Sequence, residues 1–162
     1  MSKHNRQQQL DLYGNAYTLL TQALAGFPKE MWSFRPTPDR WTIHEIVVHI
    51  ADSEANGYIR LRKLIAEPGT QVAAYDEPKW ASALHYSDQN PEDALALFKL
   101  LRQTSYQLVQ SLPESTWAHT VEHSEAGTIT LDDWLDTYAD HIMAHIRQMQ
   151  ENYELWMQTQ AA

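Results

Sequence analysis

Three histidines carry chemistry that this chain could perform. His141 and His145 stand four residues apart on a long amphipathic segment, and His49 stands on an earlier segment of the same kind. Residues four apart on a helix project from one face, one above the other. Two imidazoles so placed can grip one ion, but a useful site needs a third ligand from another helix. If His49 supplies it, the three hold a divalent cation with positions left open for water or substrate. Three neutral imidazoles leave the ion's charge uncompensated, which favours Lewis-acid chemistry.

The other histidines are weaker candidates. His119 and His123 are also four apart, but they lie in a stretch bounded by Pro113 and Gly127 with no helical stripe. His44 points away from His49 on the same helix and is expected to be solvated. His4 and His85 have no supporting pattern around them. Glu54 falls inside an apolar sector, so it needs a donor, a cation or a wet cavity. At roughly 100° per residue, His145 lies about 40° from the apolar line of its segment, and His49 about 120° from that of its own.

Four long segments have the period that would position these groups. The first runs from about Arg6 to Gly26 and is ended by Gly26 and Pro28. The second runs from about Thr42 to Ala66, opened by a Thr42/Glu45 capping box. The third runs from about Pro91 to Ser111 behind an Asn90 cap, with Leu97, Leu101, Leu108 and Leu112 read as its inner face. The fourth runs from about Leu131 to Trp156, capped by Thr130 and followed by Asp132 and Asp133. The link Glu67–Gln89 is long and polar, with one short helical piece expected near Lys79–Leu84. Val121–His123 and Thr128–Thr130 flank Ser124–Gly127 as a short hairpin. A faint duplication runs through the chain. Phe27-Pro28 with Trp32 matches Leu112-Pro113 with Trp117, and each copy leads into a Thr-capped helix. Two helix–link–helix halves of this kind pack as a four-helix bundle.

Composition bounds the remaining possibilities. The 162 residues suit one domain spanning 1–162, with six Trp and eight Tyr to fill gaps between helices. Without cysteine there is no disulfide, thiolate metal site or cysteine nucleophile. A net charge of -9 with no Lys/Arg cluster argues against nucleic-acid binding. No segment is long and apolar enough for a membrane span, and the polar N-terminus does not read as a secretory signal. The expectation is a cytoplasmic protein, with a homodimer conceivable through its amphipathic helices.

The segment Trp41–Glu54 resembles the second-helix signature of the DinB-like superfamily, which includes the YfiT-type group of metal-dependent hydrolases. That signature is a Trp–Ser/Thr start, a His seven residues beyond the Ser/Thr, and a Glu five residues later. Tyr138–Met149 is similar to the family's final-helix motif, His-x-x-x-His followed closely by Gln. Tyr75–Ala81 is similar to an acidic–aromatic link after the second helix. The resemblance implies an all-α four-helix bundle with a long crossover between helices two and three. It implies a divalent metal, zinc or nickel first and manganese or iron next, held by His49, His141 and His145. Gln148 then orients a ligand or bound water, Glu54, Asp76 and Glu77 are candidate proton acceptors or substrate contacts, and Asp140 lies outside. The activity implied is that of a metal-dependent hydrolase or a low-molecular-weight-thiol S-transferase acting on a small molecule. The alternative is a non-catalytic metal-binding or stress-related scaffold module.

Overall fold

The computed structural model describes residues 3–161. Of Lys3 and His4 it describes only the backbone, so the expectation for His4 lies outside the described side chains. Five helices follow one another: α1 (Lys3–Ala25), α2 (Ile43–Ala66), α3 (Glu77–Ala83), α4 (Pro91–Val109) and α5 (Leu131–Gln160). The four long ones form the bundle. α1 packs on α5 and α4, and α2 packs on α4 and α5, so the sequence neighbours α1 and α2 stand diagonally. The crossover from α2 to α4 carries β1 (Gln71–Val72), α3 and a 3-10 turn at Tyr86–Asp88. β2 (Thr120–His123) and β3 (Gly127–Thr130) make the expected hairpin, and β1 adds to β2 in parallel.

The helix ends are set by local chemistry. Thr42 Oγ1 accepts from the Glu45 amide at 3.1 Å, and Glu45 Oε2 accepts from the Thr42 amide at 2.9 Å. Thr130 and Asp133 repeat this reciprocal box at the start of α5. Such boxes satisfy amides that the first turn leaves without partners. Asn90 caps α4, and Pro91 opens it. The two sequence halves therefore agree locally: Pro28 and Pro113 each lead into a 3-10 turn, and Thr42 and Thr130 each start a boxed helix.

The bundle departs from the sequence expectation on α4. Its inner line is Ala94, Phe98, Arg102, Ser105 and Val109, and Leu97 is 46% exposed. An apolar stripe locates an inner face only when that face is apolar, and here it carries a buried arginine. Arg102 Nη2 donates to Glu54 Oε2 at 2.6 Å, and both side chains are almost wholly buried. Tyr13 Oη donates to Glu54 Oε1 at 2.8 Å. Arg102 Nη1 donates to the carbonyls of Tyr138 and Tyr13 at 3.1 and 3.3 Å. One polar group from each bundle helix thus meets at the centre, and it pins the relative heights of all four.

Around this pin the core is aromatic and aliphatic. Trp134 is buried, and its Nε1 donates to the Gly57 carbonyl at 3.0 Å. A Cβ on Gly57 would lie 2.5 Å from the Tyr138 ring, so only glycine lets α5 come this close to α2. Asn152 Nδ2 donates to the Trp41 carbonyl at 2.8 Å. With Trp134 beside Gly57 and Asn152 beside Trp41, α2 and α5 run antiparallel, and His49, His141 and His145 fall between those two contacts.

Candidate metal centre

α2 carries His49 and α5 carries His141 and His145, one turn apart. His141 Nε2 lies 3.0 Å from His145 Nε2 and 3.4 Å from His49 Nε2. Each histidine can present one ring nitrogen within 4.8 Å of the other two, and among the described residues this is the group that could hold a metal ion. His49 is buried and the other two are half-buried. The burial of His49 exceeds what its wheel position suggested, because the Trp41 ring covers it at 4.6 Å between centroids.

Three observations test whether these residues fit a cation. A tetrahedral ion with bonds of about 2.0–2.1 Å spaces its nitrogens about 3.3–3.4 Å apart, close to the two contacts that His141 makes. His145 Nδ1 lies 3.0 Å from Gln148 Oε1, so the proton sits on Nδ1 and the Nε2 lone pair is left facing inward. His141 Nε2 then faces two neighbouring nitrogens, and one N–H cannot point at both. A cation at the shared centre would satisfy all three lone pairs together. The donor set fits, with Gln148 in the orienting position the sequence suggested.

The electrostatics agree. Burial first, and the nearby His145 second, push His49 down to about 3. Burial, His145, His49 and Arg102 hold His141 well below the usual imidazole range. Burial lowers His145 as well, opposed by its bond to Gln148. All three are neutral at neutral pH, the form in which imidazole binds metal.

A stability prediction follows for the metal-free protein. Unfolded imidazoles titrate near 6.5. Between that value and the folded value of about 3 for His49, the unfolded chain binds more protons than the folded one. Stability is therefore fully present above about 6.5 and falls as pH drops through this window. Urea unfolding of chelator-treated protein should show a lower midpoint at about pH 5 than at about pH 7.5. His49→Leu should reduce the difference while the share from His141 and His145 remains, and equal midpoints for the parent protein would contradict the placement.

The remaining histidines do other work. His119 Nδ1 bonds the Leu64 carbonyl at 3.0 Å, and His123 Nδ1 accepts from the amides of Glu125 and Ala126 in the hairpin turn. His44 is not simply solvated: its Nε2 bonds the Gln89 carbonyl at 2.7 Å and ties the crossover to α2. His85 takes a left-handed conformation, φ 51°, before the 3-10 turn. Asp140 is exposed, as expected.

The carboxylates are placed differently from the histidines. Both oxygens of Glu54 are engaged by Tyr13 and Arg102. Asp76 is exposed and caps α3, its Oδ1 accepting from the Lys79 amide at 3.0 Å. Glu77 opens α3, with its carboxyl pushed above the usual range by burial and pulled back by Arg60. Sequence reasoning passed over Arg60 and Arg102. An unpaired acid inside an apolar sector is the signal that could have prompted a search for a buried cation.

Four long helices with three convergent histidines on an antiparallel pair define a helical bundle built around a candidate metal centre. The sequence pattern of the DinB superfamily matches residues 13–149, and the chain belongs to that superfamily. An Oceanobacillus iheyensis protein, provisionally named a metal-dependent hydrolase, is 32% identical over 112 residues, covering 67% of this chain and 64% of that one. Bacillus subtilis YfiT, provisionally named in the same way, is 30% identical over 112 residues, covering 68% and 63%. The chain thus matches just under two thirds of the length of these curated relatives. The solved structure of Bacillus subtilis YfiT, described as having an unusual four-helix-bundle topology, superposes with a TM-score of 0.86 at 25% identity, covering 94% of this chain and 87% of that one. A mycothiol-dependent maleylpyruvate isomerase shares the fold at 14% identity, with a TM-score of 0.72, covering 92% and 63%. Among the described residues, no helix is long and apolar enough to cross a membrane.

Proposed function

We propose that the chain is a metal-dependent enzyme acting on a small molecule, as a hydrolase or as a low-molecular-weight-thiol S-transferase. The observation that carries this reading is the convergence of three neutral, buried or half-buried imidazoles with Nε2 contacts of 3.0 and 3.4 Å. His49, His141 and His145 would hold a divalent ion, zinc or nickel in the first place and manganese or iron in the second. When bound, such an ion supplies Lewis acidity and lowers the pKa of a coordinated water or thiol toward neutrality.

The chain's own residues prepare the site. Gln148 fixes the tautomer of His145 through Nδ1. Trp41 shields His49 from water on its ring face. Glu54 acts in this reading by holding α2 against α4 through Arg102 rather than by moving a proton, since each of its oxygens already accepts a buried hydrogen bond. Asp76 and Glu77 remain the crossover's candidates for contact with substrate, and Glu77 is the better proton acceptor because its carboxyl is already raised.

The experiment is a turnover panel of esters, amides, thiols and thiol-reactive electrophiles. It is run on chelated protein and on protein reloaded with zinc, nickel or manganese. Metal-dependent turnover, reduced by at least about a hundredfold in His145→Ala, is expected. Turnover that survives His145→Ala unchanged would end the proposal. Metal uptake with no turnover on any class would leave a non-catalytic binding module.

A further inference from the structure

Arg60 is the feature the metal centre does not use. It lies half-buried on α2. Arg6, Arg35, Arg40 and Arg102 each meet a carboxylate, and Arg62 is folded back onto the ring and carbonyl of Tyr58. Arg60 has two neutral partners instead: Nη1 donates to Tyr138 Oη at 3.0 Å and Nη2 to the Ala73 carbonyl at 2.7 Å. The guanidinium is thus held in place without being neutralised. Of its five N–H donors, three remain for another group.

Cavities open on both sides of this cation. One, of about 380 Å³, is walled by Ile59, Trp80, Asn56 and Lys63. The other, of about 210 Å³, is walled by His123, Ile129, Trp134 and Thr137. Neither is lined by a carboxylate, although the chain carries a net charge of -9. Glu77 senses Arg60 but does not form an ion pair with it. Lys63 is committed to Glu67 at 3.0 Å. The Tyr138 ring that receives Arg60 sits 6.5 Å from the His141 ring, so a single aromatic residue separates this cation from the histidine group.

We propose that Arg60 binds a carboxylate of the substrate, making the substrate an organic acid whose body lies against Ile59 and Trp80. This deepens the enzymatic reading above and rests on it for the word substrate. A planar guanidinium presents paired donors that match a carboxylate's two oxygens. One uncommitted cation suits a single negative charge better than a phosphate dianion. Ile59, 54% exposed, supplies apolar surface beside the charge, as an acid with a hydrocarbon body requires.

The test is direct binding, read by calorimetry and by Trp fluorescence, on the chelated 162-residue protein. The probes are hexanoate, its neutral amide and inorganic phosphate. Hexanoate should bind, the amide should bind at least about tenfold more weakly, and phosphate more weakly than hexanoate. Arg60→Met should lower hexanoate affinity by at least about tenfold, with Arg60→Lys between the two. Equal affinity in Arg60→Met, equal binding of the amide, a preference for phosphate, or no binding of any probe would overturn the assignment. Metal uptake is measured separately on the same variants. A protein that binds hexanoate through Arg60 but takes up no metal sinks the metal-enzyme reading and leaves this one standing. The reverse result does the opposite.

Discussion

Arg102→Met should destabilise the fold by about 3–5 kcal/mol, the cost of breaking a buried ion pair from one side. The pair is at 2.6 Å with both side chains at or below 2% exposure, so solvent screening offers no relief. Without the guanidinium, Glu54 keeps only the Tyr13 hydroxyl. The Tyr138 carbonyl loses its side-chain donor as well. The stranded carboxylate then stays buried with no cation to balance it, and that desolvated charge is the source of the deficit. Glu54→Gln added to Arg102→Met should restore part of the loss, because the uncompensated charge is gone. Urea unfolding of the two single variants and the double variant forms a thermodynamic cycle. Strict additivity of the two changes would show that the pair is not coupled in the folded protein.

This pair also marks where the sequence stopped being readable. Glu54 was visible as an acid in an apolar sector, and the need for a partner followed from desolvation alone. The partner was not visible. A stripe of Leu97, Leu101, Leu108 and Leu112 drew attention to one side of the inner line, where Leu108 and Leu112 do pack against the core but Leu97 is exposed. The inner face of α4 runs through Arg102, and helical periodicity counts such a residue as polar and outward. The metal candidates were easier because ligand chemistry restricts the residue types, and an i, i+4 pair is a spacing that backbone geometry turns directly into proximity. That His49 would join them needed the antiparallel pairing of α2 and α5, which depends on long-range contacts such as Asn152 with Trp41. The caps at Thr42, Asn90 and Thr130 were legible because each is settled within four residues. β1 was not legible: two residues, Gln71 and Val72, have no pattern of their own and become a strand only because β2 lies beside them. Arg60 is the same case in functional form. Nothing local distinguishes it from a solvated helix arginine, and its role emerges only where α2, the crossover and α5 close around it.

The largest functional effect is expected at His141. Its Nε2 is the shared vertex of the group, in contact with both His49 and His145. Loss of a group that merely orients a ligand, such as Gln148, typically costs about 10–100-fold in metal affinity. Removal of the vertex ligand should therefore cost more than about a hundredfold, because the two imidazoles left behind belong to opposing helices. Competition against a chromophoric chelator measures this directly for zinc and for nickel. Folding provides an independent readout. A ligand at a hundred times its dissociation constant stabilises the native state by about 2.7 kcal/mol, so the parent protein should melt higher with metal than without. His141→Ala should lose that increment. The metal-free variant should still fold, since Ile142, Tyr138 and Ala139 continue to bury the adjoining face of α5. An unchanged metal-dependent rise in the variant would mean that the ion binds elsewhere. The converging nitrogens would then be a packed, neutral histidine cluster with no catalytic cation between them.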